Sequence, residues 1–266
     1  MAGTVLTPVG AARADTSLEA QFDQAFIAPA PQPSATSRAA AQPTATTKTP
    51  VRTRQTPSTV RPFVSYGQPR SFRSSFEAQL YSAADPSNGR IGVAVIDLTT
   101  GETVSVLGDT PFPMASTSKI AVAATFLDGV DKGKWSLDDK FPLLIPVKSA
   151  KFSSEKAPVR QGKMVTAREL IELALIYSSN PATDALLAAV GGTEAVNRWI
   201  RSTGIQGMRI DRDIATLVRD DGEFNPASMV DLRDSSTPLA MAQLLSGLFQ
   251  GKWLSQRSRA FLLSTM

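Results

Sequence analysis

The chain of 266 residues contains no histidine and no cysteine. Those two absences exclude a Ser-His-Asp triad, a cysteine nucleophile and a zinc site built on His and Cys. Disulfides are excluded as well, so cysteine usage is silent on redox compartment. Nucleophilic catalysis, if present, must use Ser, Thr, Lys, Asp or Glu, with lysine or a carboxylate as base. No metal or organic cofactor is implied. No apolar run reaches the roughly 20 residues that span a bilayer.

Acidic residues are also missing over a long stretch. Between Gln24 and Phe76 there is none, against seven basic residues: Arg38, Lys48, Arg52, Arg54, Arg61, Arg70 and Arg73. Removing those seven from the 28 lysines and arginines leaves 21 against 24 acidic residues, so the formal charge of +4 belongs to a tail. The remainder is mildly acidic, and nucleic-acid binding is unsupported.

Thr4 to Gly10 followed by Ala12-Arg13-Ala14 resembles the end of a secretory signal cleaved before Asp15, with a plain N-terminal tail as the alternative. From Ala28 to about Pro69 the sequence is Pro, Ala, Thr, Ser and Gln, with eight of the 18 prolines. Such a stretch buries too little apolar surface to offset its ordering entropy and reads as a linker.

Order is expected from about Phe72. Phe76, Leu80 and Tyr81 share a helix face. Ile91 to Leu98 is apolar at every alternate position on both faces, which predicts a strand covered on both sides. Thr99-Thr100-Gly101 turns it into a returning strand, Thr103 to Leu107. After Pro113 the pattern is helical and stays so: a buried helix over Ile120 to Leu127 and a capping box at Thr166 and Glu169. Further helices end at Gly191, Gly204 and Gly251, and one begins at Ser255. Two strands followed by an all-helical block are expected, with the partner strands of that ribbon absent from the chain.

Ser116-Thr117-Ser118-Lys119 opens the buried helix. Residues three apart share a face, so Ser116 and Lys119 can touch. The helix start also offers unpaired N–H groups and a positive dipole end to a developing anion. Lys119 continues through Ala123, Phe126 and Val130, an apolar stripe. A lysine there is desolvated, its pKa falls and the neutral amine becomes a usable base. The alternative is a lysine snorkelling from a helix start. A second Ser-x-x-Lys, Ser153 to Lys156, lies in a polar stretch where both side chains are solvated. Sixty-two residues after Ser116 comes Ser178-Ser179-Asn180, ahead of Pro181. It offers a hydroxyl and an amide on one short turn, or simply a helix cap.

In order along the chain, Phe112 to Lys119, Tyr177 to Asn180 and Arg233 to Ala242 resemble three landmarks of the class A β-lactamases. The similarity runs from about Phe72 to Met266. The resemblance implies an α/β fold, β-lactamase/transpeptidase-like, with an all-α lobe beside an antiparallel sheet that is incomplete here, and a site between the lobes. It implies that Ser116 is acylated, that Lys119 activates it, that Ser178 shuttles protons and that Asn180 binds the substrate's acylamide. Residues 1–14 are then a signal-peptide remnant, 15–70 a disordered linker and 71–266 the catalytic domain. The implied substrate is a small-molecule β-lactam or a peptidoglycan stem-peptide-like amide, met by a periplasmic or secreted monomer.

Three departures from the family pattern matter. Ser179 stands where the family has aspartate. The loop from Arg212 to Asp234, resembling the family's Ω-loop and closed by that pair, is longer than usual and has no Glu-x-x-x-Asn. Counting back from Arg233 puts Asn225 on the family's substrate-binding asparagine and Asp221 on its deacylating glutamate, with Glu223 a rival. The alternative is that Asp220, Asp221 and Glu223 form a solvated acidic loop tip. Third, the family's Lys-Thr-Gly strand would lie beyond Met266, which predicts a chain that is poorly folded and inactive by itself. Two other functions stay open: a penicillin-binding D-alanyl-D-alanine peptidase, and a non-catalytic envelope module tethered by the Pro-rich arm.

Overall fold

The computed structural model describes residues 71–84, 90–226 and 228–266, together with the backbone of 60–62. The chain divides into Met1–Pro50 and Val51–Met266, and every described residue belongs to the second. The expected signal remnant and most of the expected linker lie outside the described residues. One part of the linker does not: Val60–Pro62 forms strand β1, where disorder was expected.

Ser74 caps the first helix, α1 (Ser75–Ala83), by accepting from Glu77 N–H at 3.1 Å. Strands β2 (Val93–Ile96) and β3 (Thr103–Val106) form the expected hairpin, Val93 opposite Val106 and Ile96 opposite Thr103. Asp97 ties its turn by accepting from Thr99 N–H at 2.7 Å, and Gly101 takes φ 77°. The expectation that β2 is covered on both sides is corrected: Ile91, Val95 and Leu98 are exposed. A helix near the chain's end, α7 (Pro238–Phe249), packs on β2, and α1 packs on β3.

The centre of the molecule is α2 (Ser118–Asp131). Its Ala123, Ala124, Phe126 and Leu127 are wholly buried, because neighbours approach from every side: α3 (Ala167–Leu175), α4 (Asn180–Val190), α5 (Thr193–Ser202) and α8 (Gln256–Thr265). Close approach explains two glycines within helices. A Cβ on Gly129 would stand 2.2 Å from the Trp135 ring, and one on Gly247 would stand 2.0 Å from that of Trp253. Each indole uses the missing side chain as its seat. Asp131 then fastens α2 to α8, accepting from Ser255 N–H at 2.7 Å and Ser258 Oγ at 2.6 Å.

The all-helical block after Pro113 is also corrected. Strands β5 (Lys140–Pro146) and β6 (Val159–Thr166) make a long hairpin with a register shift between Pro142 and Leu144, packed against α4. Two prolines in β5 and two basic residues in β6, Arg160 and Lys163, hid it. Both features fit an edge ribbon, where a missing N–H and charged side chains are tolerated. Nearer the N-terminus, β4 (Phe112–Pro113) joins β9 (Ser235–Ser236), which pairs on its other side with β7 (Met208–Arg209). Between these last two come the six-residue α6 (Ile214–Arg219) and β8 (Met229–Asp231), whose partner is β1. The helix boundaries at Thr166, Gly191, Thr237 and Ser255 stand where the sequence puts them.

Candidate active site

Ser116 occupies a 3₁₀ turn, Ala115–Thr117, that leads into α2. The turn is locked locally: Thr117 Oγ1 donates to Met114 carbonyl at 2.6 Å and Ser118 Oγ to that of Ala115 at 2.8 Å. Ala115 sits at φ 47°, and Ser178 at φ 55°. Left-handed backbone costs a side-chain-bearing residue of order 1–2 kcal/mol. Two such residues flank one site, the usual place for strain that holds a reactive group in position.

Lys119 is 2% exposed. Its Nζ donates to Ser178 Oγ at 2.8 Å, to Asn180 Oδ1 at 2.9 Å and to the Ser178 carbonyl. An ammonium has three donors, and all three are engaged. The expected direct touch between Ser116 and Lys119 is replaced by a bridge, because Ser178 Oγ donates to Ser116 Oγ at 2.9 Å. Amine, hydroxyl and hydroxyl therefore form one chain. Burial lowers the Lys119 pKa to about 8, while the charge of Asp184 pulls it back up. At pH 7 roughly a tenth of the amine is then neutral, about 300-fold more than for a solvated lysine.

The turn that delivers Ser178 and Asn180 is built from caps. Ser179 is the N-cap of α4, its hydroxyl accepting from Ala182 N–H at 3.4 Å, and Pro181 suits the first helical turn. The cap reading of this triplet holds at Ser179, with Ser178 and Asn180 on either side of it. In the second Ser-x-x-Lys, Lys156 is exposed as expected, while Ser153 is half-buried and its Oγ accepts from Glu155 N–H at 3.2 Å.

A cavity of about 360 Å³ opens beside Ser116, Lys119 and Asn180, with Ile214, Leu217 and Phe224 on its walls. Arg212 and Asp234 close the long loop, Arg212 Nε donating to Asp234 Oδ2 at 2.6 Å. Asp234 Oδ1 also takes the N–H groups of Asp211 and Arg212, at 2.8 and 3.0 Å, and its carbonyl takes Met114 N–H at 3.0 Å. The loop's closure is thereby tied to the turn that carries Ser116.

Asp221 and Glu223 both line this cavity, whereas Asn225 is not among its lining residues. The Asn225 carbonyl accepts from Met229 N–H at 2.9 Å, leading the chain into β8. A uniformly solvated acidic tip is not what forms. Asp220 is buried against Arg219, Nε to Oδ1 2.8 Å, and Glu223 Oε2 is held by Arg233 at 2.9 Å. Of the three, only Asp221 is exposed. Among the described residues, no group of three or more Asp or Glu is placed to hold a metal ion, and no helix is long and apolar enough to cross a membrane.

Sequence reading passed over Asp184. It is 4% exposed in α4, and its two oxygens accept from Ile214 N–H at 2.7 Å and Ala215 N–H at 2.9 Å. The available signal was a lone acid in an otherwise apolar helix, Ala182 to Val190. Such a residue is seldom buried without partners.

Residues 75–266 match the family model described as the beta-lactamase enzyme family. The chain is 34% identical over 194 residues to beta-lactamase CTX-M-97 of Escherichia coli, covering 72% of this chain and 62% of that protein. It is 35% identical over 173 residues to beta-lactamase L2 of Stenotrophomonas maltophilia, at 64% and 54% coverage. The chain thus spans less than two thirds of these relatives' length. A solved beta-lactamase from Chitinophaga pinensis superposes with TM-score 0.59 at 31% identity, covering 72% of this chain and 67% of that one. The ancestral class A enzyme of the Gram-negative lineage gives 0.57 at 37%, with 72% and 70% covered. A match over most of the chain, on a fold that places Ser116, Lys119, Ser178 and Asn180 together, shows that this chain belongs to the beta-lactamase enzyme family.

Proposed function

We propose that the chain is a serine β-lactamase that opens the lactam ring through an acyl-enzyme on Ser116. The relay from Lys119 through Ser178 to Ser116 is the observation that supports this reading. When Lys119 is neutral, the two hydroxyls reverse their donation and the Ser116 proton passes by way of Ser178 to the amine. Ser116 Oγ then bonds to the lactam carbonyl carbon. As the carbon–nitrogen bond breaks, the ring nitrogen takes a proton from Ser178, which is replenished from the Lys119 ammonium. Asn180 holds the acylamide in this reading, which its position on the cavity lining supports. Water then attacks the ester, with Asp221 or Glu223 as the acidic groups on hand; the grip of Arg233 on Glu223 favours Asp221. The signal-like stretch from Thr4 to Ala14 supports export, so the working place is the periplasm or the medium.

Intact-mass spectrometry after exposure to benzylpenicillin tests the reading. A transient adduct that vanishes with Ser116→Ala supports it, and a native-like variant that is still acylated at the same rate overturns it. A persistent adduct would instead favour a D-alanyl-D-alanine peptidase. That second reading draws on Ser179 in place of the family's aspartate and on a Glu223 already committed to Arg233.

A further inference from the structure

We infer that Asp184 is a positioning residue for the proposed acylation: its buried carboxylate fastens the Ile214 wall of the cavity to helix α4 and sets the proton affinity of Lys119. The inference rests on the reading of Ser116 as the acylated group.

The geometry begins on α4. Asn180 and Asp184 are four residues apart and so lie on the same helix face, one turn above the other. Asn180 accepts from Lys119 Nζ at 2.9 Å, while Asp184 reaches the opposite way to the N–H groups of Ile214 and Ala215. Those two residues start α6, and Ile214 shares the cavity wall with Ser116 and Lys119. One carboxylate therefore spans from the helix that carries Asn180 to the wall that shapes the cavity. An asparagine could fill the same volume, but only one of its two terminal atoms accepts.

The charge matters as well as the bonds. Asp184 is buried, and its pKa is pushed up to about 6 by desolvation, against the pull of the two amide bonds and of Lys119. The other acid near it is Asp213, which caps α6 by accepting from Thr216 N–H at 2.8 Å and whose charge raises Asp184 further. The neighbouring cations are committed elsewhere, Arg212 to Asp234 and Arg233 to Asp231 and Glu223. Above pH 6 Asp184 is thus the negative charge that holds the Lys119 proton, offsetting part of the desolvation that loosens it.

Two measurements on the full chain decide the matter. In Asp184→Asn, the acidic limb of the acylation rate for benzylpenicillin should move to lower pH by about half a unit or more, because the amine loses its counter-charge. A uniform fall in rate with the limb unmoved would mean a clamp and nothing more, and would overturn the assignment. The second arm needs neither acylation nor that variant. Carboxyl NMR of ¹³C-aspartate-labelled protein should show one aspartate titrating near 6, with a midpoint that rises in Lys119→Met. An unchanged midpoint sinks the coupling, even if Ser116 proves never to be acylated.

Discussion

The hydroxyl of Ser178 stands between Ser116 and Lys119, donating to one at 2.9 Å and accepting from the other at 2.8 Å. Its position makes it the link in the proposed proton path, although its own side chain is exposed.

Replacing Ser178 with alanine removes that link and no packing. The acylation rate, followed with nitrocefin, should fall ~100-fold or more, the usual contribution of a placed proton carrier. The thermal midpoint should stay put. A variant that acylates as fast as the parent would show that the amine reaches Ser116 by another route.

The pH profile follows from the burial of Lys119. Only the neutral amine accepts a proton, so acylation should climb about tenfold per pH unit below the Lys119 pKa of about 8 and flatten above it. Stability carries the same signature in the opposite sense to a salt-bridged lysine. The unfolded chain keeps the proton up to about 10.5, so unfolding free energy should rise from pH 8 toward that value. Denaturant titrations at pH 7.5 and 9.5 check the sign.

Ala115 pays for its left-handed backbone, and glycine would not. Ala115→Gly should raise stability by about 1 kcal/mol in urea, provided the native φ of 47° is kept. It should also slow acylation, because the turn ahead of Ser116 gains freedom. A gain in both would show that the strain does not serve the nucleophile.

Asp234→Ala should be the most damaging surface-loop change. It leaves a half-buried Arg212 with only the more distant Asp231, at 3.8 Å, and strands two amide groups at once. Removing one partner of such a pair costs about 3–5 kcal/mol. Urea denaturation should show a loss of that order, and acylation should drop with it, since Met114 is held by the same residue's carbonyl.

Gly247→Ala tests the seat of Trp253. An added methyl at 2.0 Å from the ring forces a shift, which costs about 1–3 kcal/mol in a packed interior. Gly133→Ala, at φ 69° with nothing nearby, carries backbone strain and no clash, so the pair separates the two costs within one fold.

Local chemistry explains why some of this was legible in the sequence. Thr166 with Glu169, Gly191 at φ 97° and Thr237 before Pro238 mark helix ends because each satisfies backbone groups within a few residues. The absence of histidine pointed to lysine as base, and the apolar stripe behind Lys119 foretold its burial. The β5–β6 hairpin was illegible: Pro142, Pro146 and the basic side chains of β6 argue against strands until α4 is there to pack against.

What the sequence determined by itself, then, is the chemistry available and the elements closed by short-range bonds. Tertiary structure alone decided that Ser178, 62 residues away, intervenes between Ser116 and Lys119, that Glu223 is taken by Arg233, and that Asp184 reaches across 30 residues to Ile214. Such contacts depend on where burial brings remote side chains together, and no local pattern encodes that meeting.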